Sequence, residues 1–373
     1  MDICSDLSFK APSHSTILLW VKKYGYHELV RTKLKANDWI IMVDESVQFG
    51  QNKLLLVFGI RQSEIDFSRP LNFQDISPLF LASRPSWKGE DIQEQIQIIQ
   101  RQIGTIIYAV ADLGNQIKKA IRLMGMPHIY DITHHISLTI EHIYKEDIDF
   151  MAFTKRLGRL RASQALSKMS HVLPPVQRIK ARFMNLRPIS DWGMAVLGFL
   201  DNVYDRRFID EKQNLKWVRK YENMIKELAL LNKMVNEIQL QLKTHGLSKE
   251  TILECEKILQ QGQQTRLCRF KELMIDYLHE TKKLLPEYDK ILCCTDILES
   301  SFGKYKNYLQ ANPMVGITNL SLSIPAFTAP LTPNGILEAF EQTKVQDIEK
   351  WTMENIGPTT LSKRMQVLKM GRS

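Results

Sequence analysis

"WIIMVDESVQFG", residues 39–50, is a short apolar run that ends on acid. A block of Trp, Ile, Met and Val this short, rich in β-formers, reads as a buried strand. "NKLLLVFGIRQ" (52–62) follows across a turn containing Gly50, which predicts a hairpin. "TIIYAVADLG" (105–114) repeats the pattern, apolar and then Asp. Asp44 and Asp112 therefore each stand where a buried strand emerges, and that recurrence decides the reading.

The neighbouring segments complete a sheet. "SPLFLASRPSW" (77–87) predicts a third strand. "GEDIQEQIQIIQRQIG" (89–104) carries Ile92, Ile96, Ile98, Ile99 and Ile103 at helical spacing and stops at Gly104. "NQIKKAIRLMG" (115–125) predicts a helix from Asn115 to Gly125, and "MPHIYDITHH" (126–135) a fifth strand. The order β-β-β-α-β-α-β predicts a mixed α/β sheet with helices for both faces. Before it, Ser13 or Ser15 caps a short helix that Gly25 ends; it reads as a packing helix or as the last helix of a helix-turn-helix.

Beyond about residue 136 the texture changes to long amphipathic helical patterns, and strand-like alternation stops. The expected organisation is a helical region over 1–36, the first part of a sheet core over 37–140 and an all-helical segment over 141–290. A helix over 291–312 and a C-terminal basic segment over 313–373 follow.

Net charge is +9, from 50 Lys and Arg against 41 Asp and Glu, which suits an anionic partner such as nucleic acid. The five cysteines are odd in number and form no CxxC pair, so neither a disulfide framework nor a zinc site is expected, and a reducing cytoplasm fits. No run reaches about 18 apolar residues, so no membrane span is expected. "MDICSDLSFK" lacks the apolar core of a signal peptide.

The chemistry is expected at carboxylates. In this strand order strands one and four can be neighbours, which sets Asp44 beside Asp112. A helix across that edge would bring a third acid, and Glu299 in "CCTDILESSFGKYKN" (293–307) is the candidate. Converging Asp and Glu oxygens are what Mg²⁺ takes, and two such ions about 4 Å apart serve phosphodiester chemistry. Each acid also has a plainer reading, as a strand-end, turn or solvated helix residue.

The acids on strands one and four and the Glu on a late helix resemble the RNase H-like catalytic core of DDE transposases of bacterial insertion sequences. The resemblance lies in "WIIMVDESVQFGQNKLLLVFGI", "IIYAVADLGNQIKKAIRLMGMPHIYDITHHI", "DILESSFGKYKN" and "NPMVGITNLSLSIP", covering roughly 37–140 and 289–325. It implies that Asp44, Asp112 and Glu299 form the catalytic triad and hold two Mg²⁺, with Mn²⁺ as a substitute. It implies that 141–290 is a helical insertion. It implies strand cleavage and strand transfer by a homodimer on double-stranded DNA, element ends and target, in a bacterial cytoplasm at the nucleoid.

Lys306, seven residues after Glu299, resembles the Glu-x6-Lys end of a transposase signature whose Lys contacts DNA, and Lys304 is a second DNA-binding candidate. The Arg and Tyr of that signature are replaced by Thr295 and Leu292. Asp131 in "YDITHH" is the rival second acid; His134 and His135 read as ligands or DNA contacts, or as residues that cap and pack a helix start. Trp192 reads as bundle core or as a base-stacking residue, and Arg178, Lys180, Arg182 and Arg187 as a phosphate-contacting run or a solvated face. The alternative to the enzyme is a truncated or inactive transposase-derived DNA-binding protein.

Overall fold

The computed structural model describes residues 11–45, 52–177, 183, 186–202, 206–309, 316–358 and 360–370. Arg178, Lys180 and Arg182 of the basic run, and Gly50 of the expected hairpin turn, lie outside them. The chain divides into two units: 1–66, 71–129 and 295–373 form one; 67–70 and 130–294 form the other.

The first unit holds the sheet. After α1 (His14–Val30), strand β1 (Ala36–Glu45) pairs antiparallel with β2 (Lys53–Arg61), and β2 pairs antiparallel with β3 (Ser77–Arg84). Helix α2 (Gly89–Ile103) leads to β4 (Gly104–Ala111), which pairs parallel to β1 on its other side. Helix α3 (Asn115–Met124) precedes the short strand β5 (His128–Tyr130). The sheet order is β3-β2-β1-β4-β5, the RNase H-like order, and the chain is a mixed α/β protein with a large helical segment.

One face of the sheet is covered by α2 and α3. Trp39, Ile41 and Val43 of β1 and Leu55 and Val57 of β2 pack with Ile92, Ile96, Ile99 and Ile103. Ala109 and Ala111 of β4 join Ile117, Ala120 and Ile121 in the same cluster. Each such isoleucine taken wholly out of water contributes about 1.5–3 kcal/mol. Strand alternation turns Ile40, Met42 and Asp44 to the other face, where Ile40 and Met42 are also fully buried. The switch from α2 to β4 is made at Gly104, whose φ of 101° and approach to the Ala36 carbonyl leave no room for a Cβ.

Helix α1 runs past Gly25 to Val30, against the expectation that Gly25 ends it. Helix α11 (Asp296–Leu309), α12 (Ser323–Phe327), α13 (Pro333–Gln342), α14 (Val345–Asn355) and α15 (Thr360–Met370) complete this unit. Gly25 is a contact residue: a Cβ there would stand 1.7 Å from the Leu322 carbonyl oxygen. Tyr24 joins Ala329 and Ala339 in a small core and donates its hydroxyl to the Pro330 carbonyl at 2.7 Å, so α1 packs within the unit.

The second unit is helical. The expected strand over 126–135 stops at Tyr130, because Asp131 caps α4 (Ile132–Tyr144) by accepting the His134 N–H at 2.8 Å. The unit then runs through α5 (Ile148–Gln164), α6 (Arg187–Asn202), α7 (Ile209–Leu215), α8 (Glu222–His245), α9 (Lys249–Leu259) and α10 (Thr265–Leu284). A partly buried ionic knot ties four of them. Arg266 of α10 donates to Glu227 of α8 at 2.6 Å and to Asp147 at the head of α5 at 2.7 Å. The Tyr144 hydroxyl donates to the same Glu227 oxygen at 2.7 Å, and burial and the acid together raise its pKa. Trp192 is half-buried, its indole donating to the Val172 carbonyl at 3.1 Å, and Arg187 donates to Asp191 at 3.2 Å.

Two stability outcomes follow from these contacts. Arg266→Ala strands the buried Glu227 carboxylate and lowers stability by about 3 kcal/mol or more in a urea melt. Gly25→Ala overpacks the α1 contact and costs about 1–3 kcal/mol in the same measurement.

Candidate active site at the carboxylate edge of the sheet

All three carboxylates expected from the sequence fall in the unit that carries the sheet. Asp44 is the penultimate residue of β1 and lies opposite Leu56 of β2. In the parallel ladder Val43 is aligned with Ala111, so the next residue along each strand is an acid, Asp44 on one and Asp112 on the other. Adjacent strands lie about 4.8 Å apart, and residues in register share a face. Both acids therefore leave the sheet at the carboxyl ends of neighbouring strands, on the face turned away from α2 and α3. Both are half-buried.

Backbone amides fix the two side chains. Asp44 accepts the Glu45 N–H at 2.7 Å. Asp112 accepts the Gly114 N–H at 2.9 Å, in the turn that starts α3. Each carboxylate thereby has one oxygen engaged with a local amide. Burial lowers the pKa of His128 on β5, and the charge of Asp112 opposes that shift.

Glu299 sits in the first turn of α11, which packs against β1. Ile297, Leu298, Ser301, Phe302 and Tyr305 form the buried stripe of this helix, and Glu299 is half-buried beside it. Seven residues turn a helix through about 700°, so Lys306 returns to within about 20° of Glu299 on the same flank. Lys304 falls on the opposite flank. Its ammonium stands 3.8 Å from the centre of the Phe73 ring and 5.1 Å from that of Phe327, two rings that pair edge-on at 5.7 Å. Among the described residues, Asp44, Asp112 and Glu299 do not form a group whose oxygens all lie within 4.8 Å of one another.

Asp131 has a different setting. It belongs to the helical unit, is 1% exposed, and accepts from the backbone N–H of His134 at 2.8 Å, with the His134 ring Nδ1 at 3.1 Å from the same oxygen. His135 stacks on Tyr277 with ring centres 4.1 Å apart, and burial pulls its pKa down to about 4, so it is neutral at physiological pH. These histidines cap and pack a helix start. Among the described residues, Cys255, Cys268, Cys293 and Cys294 form no disulfide.

Asp and Glu carboxylates are hard oxygen donors, the kind that Mg²⁺ and Mn²⁺ accept. The sequence pattern missed the aromatic pair under Lys304, because Phe73 and Phe327 are more than two hundred residues apart and carry no common motif.

No protein-family model and no curated protein matches the chain. The structure of the Drosophila P element transposase strand transfer complex aligns with a TM-score of 0.45 at 11% identity, over 89% of this chain and 88% of that one. No described helix is long and apolar enough to cross a membrane.

The setting of Lys304 gives a direct test. Lys304→Met keeps the stem and removes the charge over Phe73 and Phe327; stability falls by about 0.5–2 kcal/mol in chemical denaturation, the range of a cation–π contact.

Proposed function

We propose that this protein is a DDE-type transposase, a polynucleotidyl transferase that cleaves DNA at the ends of an insertion element and joins them to a target. The observation that supports this reading is the parallel register of β1 and β4, which carries Asp44 and Asp112 to one end and one face of the sheet. The packing of the Glu299 helix against β1 adds to it. The sequence resemblance and the excess of basic residues point to the same substrate.

In this reading Asp44, Asp112 and Glu299 hold two Mg²⁺, for which Mn²⁺ substitutes. When bound, such ions activate the attacking oxygen and neutralise the leaving one in phosphodiester exchange. The residues of the chain do the positioning. The Glu45 amide holds one oxygen of Asp44, and the Gly114 amide holds one oxygen of Asp112. Lys306 shares a flank with Glu299 and is the cation for a DNA phosphate beside the acids. Lys304 is assigned a second phosphate contact only as far as its ring partners release it. The reaction is hydrolysis at the element end, then attack of the freed 3′-hydroxyl on target DNA. The working form is a homodimer holding paired ends, in a bacterial cytoplasm.

The test is nicking of DNA that carries the sequences flanking the gene, with Mg²⁺ or Mn²⁺ added. Asp44→Asn, Asp112→Asn and Glu299→Gln each lower the rate by at least about 100-fold and leave DNA binding within a few-fold, because each removes a charge the reaction depends on. Asp131→Asn keeps the rate and costs about 1 kcal/mol of helix-cap stability. Loss of nicking with Asp131→Asn but not with Asp112→Asn would transfer the role to Asp131. Binding without nicking in the unaltered protein would identify an inactive DNA-binding relative.

A further inference from the structure

A groove of about 630 Å³ lies in the sheet unit, along the outer strand β3 on the side covered by α2. Its walls come from the end of α1 and the 31–35 connection, the start of β3, the second half of α2 and α14. Residue 35 immediately precedes β1 and residue 103 immediately precedes β4.

The charge of the groove is one-sided. Arg31, Lys33, Lys35 and Arg101 line it, and no Asp or Glu is among its described lining residues. Arg31 is balanced by Glu28, whose carboxylate it meets at 2.7 Å. Lys33, Lys35 and Arg101 then remain as the positive excess. Lys33 is the least ordinary of them. Burial, helped by the charge of Arg31, draws its pKa down to about 8, and its ammonium donates to the Glu28 carbonyl. A protein meets a cost in drawing a lysine out of water. An anion brought into the groove would offset that cost, and the cations on its rim would add to the attraction.

The floor fits a chain-like ligand better than a compact ion. β3 is the outermost strand of the sheet on this side, and Leu79, Leu81 and Ile98 give apolar walls between the cations. We propose that this groove binds the phosphodiester backbone of a nucleic acid, as a contact separate from the carboxylate edge. The contact is through phosphates and is indifferent to sequence. The assignment stands on the groove's charge alone and holds with or without the transposase reading. Together with that reading, it gives the sheet unit a second DNA contact besides the carboxylates.

The test measures binding of a labelled oligonucleotide by fluorescence anisotropy, as single strand and as duplex, in EDTA. The triple variant Lys33→Gln, Lys35→Gln, Arg101→Gln is compared with Lys249→Gln, Lys257→Gln, Lys283→Gln, three exposed lysines of the helical unit. From about 50 to about 200 mM salt, the groove variant loses about 2–3 from the slope of log affinity against log salt, as three lost phosphate contacts require. At the lower salt it binds at least about tenfold more weakly, while the control triple stays within about twofold. The form that loses more, single strand or duplex, is the one the groove holds. Because Lys33 is largely buried, the double variant Lys35→Gln, Arg101→Gln is run beside the triple, with circular dichroism as the folding check. It loses about two contacts' worth of slope. The proposal is overturned if the groove variants match the control on both DNA forms. Loss of binding to a polyglutamate peptide with both DNA affinities intact would overturn it as well, in favour of an acidic protein partner. EDTA separates these outcomes from the nicking assay, and a protein that fails to nick still reports on the groove.

Discussion

The parallel pairing of β1 with β4 is the constraint on which the rest depends. Two parallel neighbours cannot be joined by a hairpin, so the chain must leave β1, build β2, β3 and α2, and return. That detour lays Ile92, Ile96, Ile99 and Ile103 of α2 across the sheet and closes one face. The register it sets, Val43 beside Ala111, fixes where the next residue of each strand goes. A slip of one residue would turn Asp44 inward and replace a charged edge with a buried, uncompensated carboxylate. Fold and candidate site are in this sense one decision.

The helices added after residue 295 extend that decision. Helix α11 buries Leu298, Phe302 and Tyr305 and keeps Glu299 at the border of the buried stripe. The same geometry separates Lys306 from Lys304, because two residues on a helix differ by about 200°. One lysine returns to the flank of the acid; the other crosses to Phe73 and Phe327. Spacing alone thus distributes two similar side chains between a proposed phosphate contact and an internal one.

Much of the sheet is legible in the sequence, because buried strands and amphipathic helices leave strong periodic marks. β1, β2, β3 and β4 stand where their apolar runs predict, and α2 lies on its isoleucines. What is not legible depends on contacts distant in the chain. Gly25 reads as a stop signal, yet it serves the approach of the Leu322 backbone, which no local pattern announces. "MPHIYDITHH" reads as a strand throughout, yet Asp131 captures the His134 amide and starts a helix. The acids at the ends of β1 and β4 were visible as a pair only through the predicted order of strands. The basic groove was invisible, since Lys33, Lys35 and Arg101 come from two segments that meet only in the folded sheet.

The proposal that Asp44, Asp112 and Glu299 together hold divalent metal is open to a single experiment. Iron-directed backbone cleavage tests it most directly: Fe²⁺ replaces Mg²⁺, ascorbate and peroxide are added, and the cut sites are mapped by mass spectrometry. The expected cuts cluster near residues 44, 112 and 299. They should be suppressed by excess Mg²⁺ and lost in the Asp112→Asn variant. Cuts confined to other segments, or a pattern unchanged by that substitution, would contradict it.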